Sequence, residues 1–160
     1  MKTLRNFILE NQGSLTIDDI YVWEDPKNNG RYTLIAFDKQ SKKDLGSLKF
    51  TSEIETMPVN DTVDKSKAIE IQEVNVKDKN RNNGIGTLLL NKCIEIADEN
   101  ESDIYLYAAS LETVGNTENT EKLLKWYGKL GFEQVPDSEF DKNLGQVKKE
   151  QCLVRRYKNK

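Results

Sequence analysis

No histidine occurs among the 160 residues of this chain. That absence removes the imidazole on which Ser-His-Asp triads, Cys-His dyads and most zinc sites depend. Cysteine is almost as scarce. Cys93 and Cys152 stand far apart without metal-ligand spacing, and each falls in an apolar pattern, so both are expected as buried, unreactive thiols and no metal is expected. Long hydrophobic runs are missing as well. No stretch can span a bilayer and no secretory leader is visible, which points to a cytoplasmic protein with no membrane partner. Positive charge is not in excess either. With a net charge of −3 and a pI near 5.2, no nucleic-acid partner is expected. The basic run Arg155-Arg156-Tyr157-Lys158-Asn159-Lys160 is too short to change that.

What is present is a polar but foldable composition, 36% hydrophobic and 32% charged, at a length that suits a single domain over 1–160. Residues 3–11 suit a short helix with Leu4, Phe7 and Ile8 on one side. Alternation over 15–23, the turn signal Asn28-Asn29-Gly30 and apolar runs at 31–38 and 45–51 read as an antiparallel meander. The segment 53–67 is a loop carrying Glu53, Glu55, Asp61 and Asp64. In the next strand, 68–77, Ile69 and Ile71 share one face, but Val74 and Val76 are out of phase with them. A β-bulge near Gln72 or Glu73 would do this, and so would chance irregularity in a short pattern.

Gly86, Leu89, Leu90, Cys93, Ile96 and Ala97 recur at spacings of three and four, the core stripe of a helix over 84–99. The nearly continuous apolar and aromatic run 103–109 fits a buried parallel strand. A second helix over 119–130 buries Leu123, Trp126, Tyr127 and Leu130 and is capped by Gly131. Short strands at 132–135 and 151–157 flank a polar loop at 136–150.

Between strand 68–77 and helix 84–99 lies Arg81-Asn82-Asn83-Gly84-Ile85-Gly86-Thr87. Backbone N–H groups in a first helical turn have no intrahelical acceptor, and the helix dipole adds positive potential there. Glycines let an anion approach such a turn without meeting a Cβ. The arrangement suggests a phosphate-bearing cofactor. A dinucleotide-binding fold would need an acidic residue at the end of the next strand and more βαβ units, neither of which is convincingly offered, and a Walker loop would need Gly-Lys-Ser/Thr, which is absent.

These residues resemble the signature of the GNAT superfamily of acyl-CoA-dependent N-acyltransferases, Gln/Arg-x-x-Gly-x-Gly/Ala, met here by Arg81 to Gly86. A second family hallmark is matched 45 residues on by Trp126-Tyr127-Gly128-Lys129-Leu130-Gly131-Phe132. The resemblance covers 68–135 and implies an α/β fold: a mixed, centrally splayed sheet of about seven strands flanked by helices. It implies acetyl-CoA as acyl donor, with the CoA pyrophosphate on the amides of Asn82, Asn83, Gly84, Ile85, Gly86 and Thr87 and Arg81 beside it. The pantetheine arm would run along the backbone of Val74 and Val76, where the central strands diverge.

Transfer to an amine requires a proton acceptor, a donor to the thioester oxygen and a proton for the departing thiolate. Glu70, eleven residues before Arg81, has the offset of the family's glutamate base, and Glu73 competes with it. Tyr127 resembles the general acid, and the amide of Val76 or its neighbour the carbonyl donor. The Asn that often precedes this tyrosine by seven residues is Thr120 here, with Asn119 adjacent as the cofactor contact.

Relatives of this type insert two helices between their first two strands. Here a short Pro-Lys-Asn-Asn-Gly turn stands in that place; either those helices are missing or the 3–11 helix stands in for part of them, and loops 53–67 and 136–150 must then roof the acceptor pocket or leave it open. An open groove suits a peptide or protein amine better than a small polyamine-like metabolite. Neither cysteine has an activating partner nearby, so direct attack in a ternary complex is expected over a covalent enzyme. The rivals are a longer acyl-CoA and a non-catalytic member that binds CoA or another protein. Similar proteins commonly form a homodimer through their last strands.

Overall fold

The computed structural model describes residues 20–25, 30–39, 41–76, 84–108, 117–143 and 148–157, with backbone alone at 20–25 and 117–120. The expected helix at 3–11 and the first residues of strand 15–23 lie outside them. Seven strands are described: β1 (Ile20–Asp25), β2 (Arg31–Asp38), β3 (Asp44–Thr51), β4 (Ala68–Val76), β5 (Asp103–Tyr107), β6 (Glu133–Gln134) and β7 (Cys152–Arg155). Helix α1 (Ile85–Glu99) joins β4 to β5, and α2 (Thr117–Lys129) follows β5.

The sheet order is β1-β2-β3-β4-β5-β7-β6. β4 and β5 are parallel, as the helix between them requires, and every other neighbouring pair is antiparallel. The expected meander is therefore present as β1 to β4, and the mixed sheet of seven strands is the one the sequence implied. β5 ends at Tyr107, where its pairing with β7 also ends, and residue 109 of the expected strand lies outside the described residues. Only residues 26–30 separate β1 from β2, too few for inserted helices.

The two faces of the sheet are buried differently. Ile69 and Ile71 of β4, Ile104 and Leu106 of β5, and Leu34 and Leu48 pack under α1 and α2 with Leu89, Leu90, Cys93 and Tyr127. This is the helix face. On the opposite face Ala68, Tyr105, Cys152 and Val154 are covered by Ile54, Met57 and Val59 from the loop after β3, with Phe140 alongside. The two covering loops are bonded to each other: Asn60 N donates to Glu139 O at 2.7 Å and Asp141 N to Pro58 O at 2.8 Å. The described parts of both expected roof loops thus fold down on the sheet, over the first half of β4.

Two details set how closely α1 can lie on the sheet. Gly46 faces Val76 across β3–β4, and a Cβ there would stand 2.8 Å from Asn75 O and 3.2 Å from Ile85 Cγ2. Arg155 of β7 holds Asp98 near the other end of the helix by two bonds of 2.9 and 3.3 Å. Lys92 lies among the core residues of α1 with no exposed surface. Burial lowers its pKa to about 8, against the opposing pull of Glu95. Helical periodicity gave no sign of that. Among the described residues no helix is long and apolar enough to cross a membrane.

Candidate active site

The site is built where β4 and β5 separate. Their parallel ladder holds four pairs and stops at Ile71↔Leu106. The cause lies on the other side of β4, where Lys49 pairs with Glu73 and Phe50 with Ile71, leaving Gln72 as an extra, unmatched residue. A bulge of this kind bends its strand and ends pairing. Past it β4 stays with β3 through Leu48↔Val74 and Gly46↔Val76, whereas β5 goes with β7 as far as Tyr107↔Cys152. The register decides for the bulge and against chance irregularity. It also explains the phase break: with one residue added, Val74 and Val76 return to the helix face that Ile69 and Ile71 occupy.

The opening beyond Ile71 has a helix terminus at one end. Gly84, at φ 82°, precedes the first residue of α1 in the left-handed conformation that glycine adopts without strain. Its carbonyl accepts from Leu88 N at 2.9 Å, so the N–H groups of Ile85, Gly86 and Thr87 are the first-turn donors. Gly86 serves packing as well: a Cβ there would lie 3.4 Å from the edge of the Trp126 ring and 3.5 Å from Val76 Cγ2. Trp126 Nε1 donates to Thr87 Oγ1 at 3.0 Å. A diphosphate fits this turn, because its first-turn N–H groups have no helical acceptor and Gly84 brings no side chain. Arg81, Asn82 and Asn83 lie outside the described residues, as does the side chain of Asn119 in the first turn of α2.

The two candidate carboxylates share the face opposite the helices but differ in surroundings. Glu70 is 1% exposed. It accepts from Thr56 N (3.1 Å), Thr56 Oγ1 (2.9 Å) and Met57 N (2.9 Å), so it pins the covering loop to the sheet. Glu73, one residue past the bulge, is half-buried and faces Lys49 Nζ at 3.5 Å. Of the four acids in the loop, Glu55 is engaged by Arg31 at 3.1 Å and by the bulge residue Gln72 at 3.4 Å, and Asp64 caps the short turn before β4. A shallow cavity of about 300 Å³ lined by Gly30, Thr51, Ser52, Glu53 and Glu55 lies in this region.

Tyr127 is on the helix face, 6% exposed, with its ring 4.8 Å from Trp126 and edge-on to Phe132 at 5.5 Å. Burial, reinforced by Cys93, pushes its phenol up to about 12. Gly131 closes α2 at φ 95°, and Phe132 N bonds back to Tyr127 O at 3.2 Å. Both cysteines are buried. Burial raises the Cys93 thiol strongly and Cys152 to about 11, so neither is a nucleophile at neutral pH.

Glu70 and Glu73 thus share one face, Tyr127 lies on the other, and the parting of β4 from β5 is the gap between them. Three residues were missed from sequence. Tyr107, the large hydrophobic residue most exposed among the described ones at 36%, stands on the far lip of the gap on the carboxylate face. Its hydroxyl lies 3.4 Å from Gln151 Oε1 and from Lys148 N. Thr56 and Met57 hold Glu70 from 14 and 13 residues away. No sequence pattern announces contacts of that range.

The family model described as acetyltransferase (GNAT) family matches residues 9–132. No curated protein matches the chain by sequence. Among solved structures, a GNAT-family acetyltransferase from Staphylococcus aureus is 18% identical with a TM-score of 0.54, over 97% of this chain and 91% of that one. A GCN5-related N-acetyltransferase from Kribbella flavida is 22% identical with a TM-score of 0.54, over 84% and 72%. A GNAT-family N-acetyltransferase from Escherichia coli, solved in complex with CoA, is 14% identical with a TM-score of 0.52; the match covers 80% of this chain but only 59% of that one.

Proposed function

This chain belongs to the GNAT family of acetyltransferases, and on that premise we propose that it moves an acetyl group from acetyl-CoA to a primary amine by direct attack. The observation that carries the reading is the end of the β4–β5 ladder at Ile71↔Leu106 beside the Gln72 bulge. It leaves a passage through the sheet between a phenol on one face and carboxylates on the other.

In this reading the first-turn amides of α1, with Arg81, Asn82, Asn83, Gly84, Ile85, Gly86 and Thr87, hold the diphosphate. The backbone of Val74 and Val76 holds the pantetheine arm, and Asn119 contacts the cofactor from α2. Acetyl-CoA supplies an activated thioester. The protonated amine gives its first proton to Glu70 or Glu73, directly or through water. Glu73 is the more accessible of the two, with 34% of its side chain exposed. The C–N bond then forms as the C–S bond breaks. The second nitrogen proton ends on the sulfur. Tyr127 meets the charge there as a hydrogen-bond donor. Delivering its own proton from a phenol at about 12 to an ordinary thiolate near ~8.5 would be uphill by about 5 kcal/mol.

The acceptor enters from the carboxylate face, past the uncovered half of β4 and Tyr107. Asn75 and Tyr107 are exposed there, which supports a peptide or protein amine over a small metabolite. A second reading, binding of CoA without turnover, is favoured by the three donors that already occupy the Glu70 carboxylate. Calorimetry with acetyl-CoA, followed by thiol release against a panel of amines and lysine peptides, separates the two. Uptake with release supports transfer, uptake alone supports the binding-only reading, and no uptake by folded protein sinks both.

A further inference from the structure

We propose that Trp126 is a positioning residue that couples the diphosphate seat at the start of α1 to the phenol of Tyr127. The inference rests on the reading that CoA binds at that turn. Trp126 and Thr87 are 39 residues apart in sequence, yet the indole N–H donates to the Thr87 hydroxyl at 3.0 Å. A Cβ on Gly86 would stand 3.4 Å from the outer edge of the same ring and 3.5 Å from Val76 Cγ2. The indole therefore lies against the first turn of α1, held at Thr87 and closely approaching Gly86. Its chain neighbour is Tyr127, whose ring centre lies 4.8 Å away at a tilt of 47°. One aromatic pair spans the distance from helix terminus to phenol.

Proton counting gives the bond a direction. A threonine hydroxyl has one hydrogen and two lone pairs. The indole takes a lone pair of Thr87 Oγ1, so the hydroxyl hydrogen is left to be donated. At a first helical turn an anion is the favoured acceptor. Trp126 thereby orients Thr87 toward a phosphate oxygen, and the occupied seat in turn fixes the ring against which Tyr127 packs.

The test is a double-mutant cycle read by acetyl-CoA affinity. Trp126→Phe keeps an aromatic ring and loses the N–H; Thr87→Val keeps the shape and loses the hydroxyl. Each single variant is expected to weaken acetyl-CoA by about fivefold. The double variant should be no weaker than the weaker single, because both remove one link. Thr87→Ser, which keeps the hydroxyl, should restore wild-type affinity. If Trp126→Phe does not fold, Thr87→Val against Thr87→Ser carries the result. Multiplying losses, or wild-type affinity in Thr87→Val with only its thermal midpoint lowered, would overturn the coupling and leave the function standing. A wild-type protein that takes up no acetyl-CoA would overturn the function itself.

Discussion

The two halves of β4 differ more from each other than either differs from an ordinary strand. From Ala68 to Ile71 it is paired with β5 throughout, with β3 as well at Glu70 and Ile71, and it is buried on both faces, with even a carboxylate sealed in. From Glu73 to Val76 it has β3 on one side and the opening on the other, and its residues are partly or fully exposed. One inserted residue separates the halves. The comparison teaches that one inserted residue is enough to turn a buried strand into a partly exposed one that keeps a neighbour on one side only.

Deleting Gln72 is the strongest way to break this contrast. The deletion restores strict alternation with every side chain still on its present face, and it lets the β4–β5 ladder continue. The fold should survive, with acetyl-CoA affinity falling by about a hundredfold or more, about 3 kcal/mol; calorimetry alongside thermal melting checks both parts. Glu73→Gln should lower turnover by about a hundredfold while changing stability by less than about 0.5 kcal/mol, since its ion pair with Lys49 is half-exposed. Steady-state kinetics and urea unfolding read the two effects apart. Glu70→Gln should do the reverse in the folding assay, costing about 1–3 kcal/mol through the lost charge-assisted bonds to Thr56 and Met57. Equal stability losses for both glutamates would remove the distinction between the halves.

The smallest effect concerns the dry side of the opening. The Tyr127 phenol titrates near 12 in the folded chain against about 10 in an unfolded one. Its contribution is complete below pH 10 and is lost as pH rises toward 12, because the native state then holds more protons than the unfolded state. Tyr127→Phe should flatten the fall in stability over that window. Unfolding curves at pH 9.5 and 11.5 check it.

Much of this organisation was legible in the sequence for definite reasons. The phase break between Ile71 and Val74 is a period-two signal interrupted once, and the register assigns it to Gln72. The core stripe of α1 and the cap at Gly131 are local chemistry and were found to within a residue or two. What escaped detection is contact at a distance. That Glu70 would be clamped by Thr56 and Met57, or that Trp126 would reach Thr87, depends on where separate elements meet, and residue order does not record it. Lys92 escaped for a related reason: it falls on the buried side of α1, but a lysine does not count in a hydrophobic pattern. The two-residue β6 was placed but overestimated, since it has only β7 as partner.

The position of β7 has a bearing on synthesis. Of the seven described strands it leaves the ribosome last, yet it fills the slot between β5 and β6. Until it emerges, one edge of β5 has no partner, and nascent chains at that stage carry an open, aggregation-prone edge. Ribosome-bound chains halted before Cys152 has emerged should be cut by protease within β5, and chains in which residues through Tyr157 have emerged should resist.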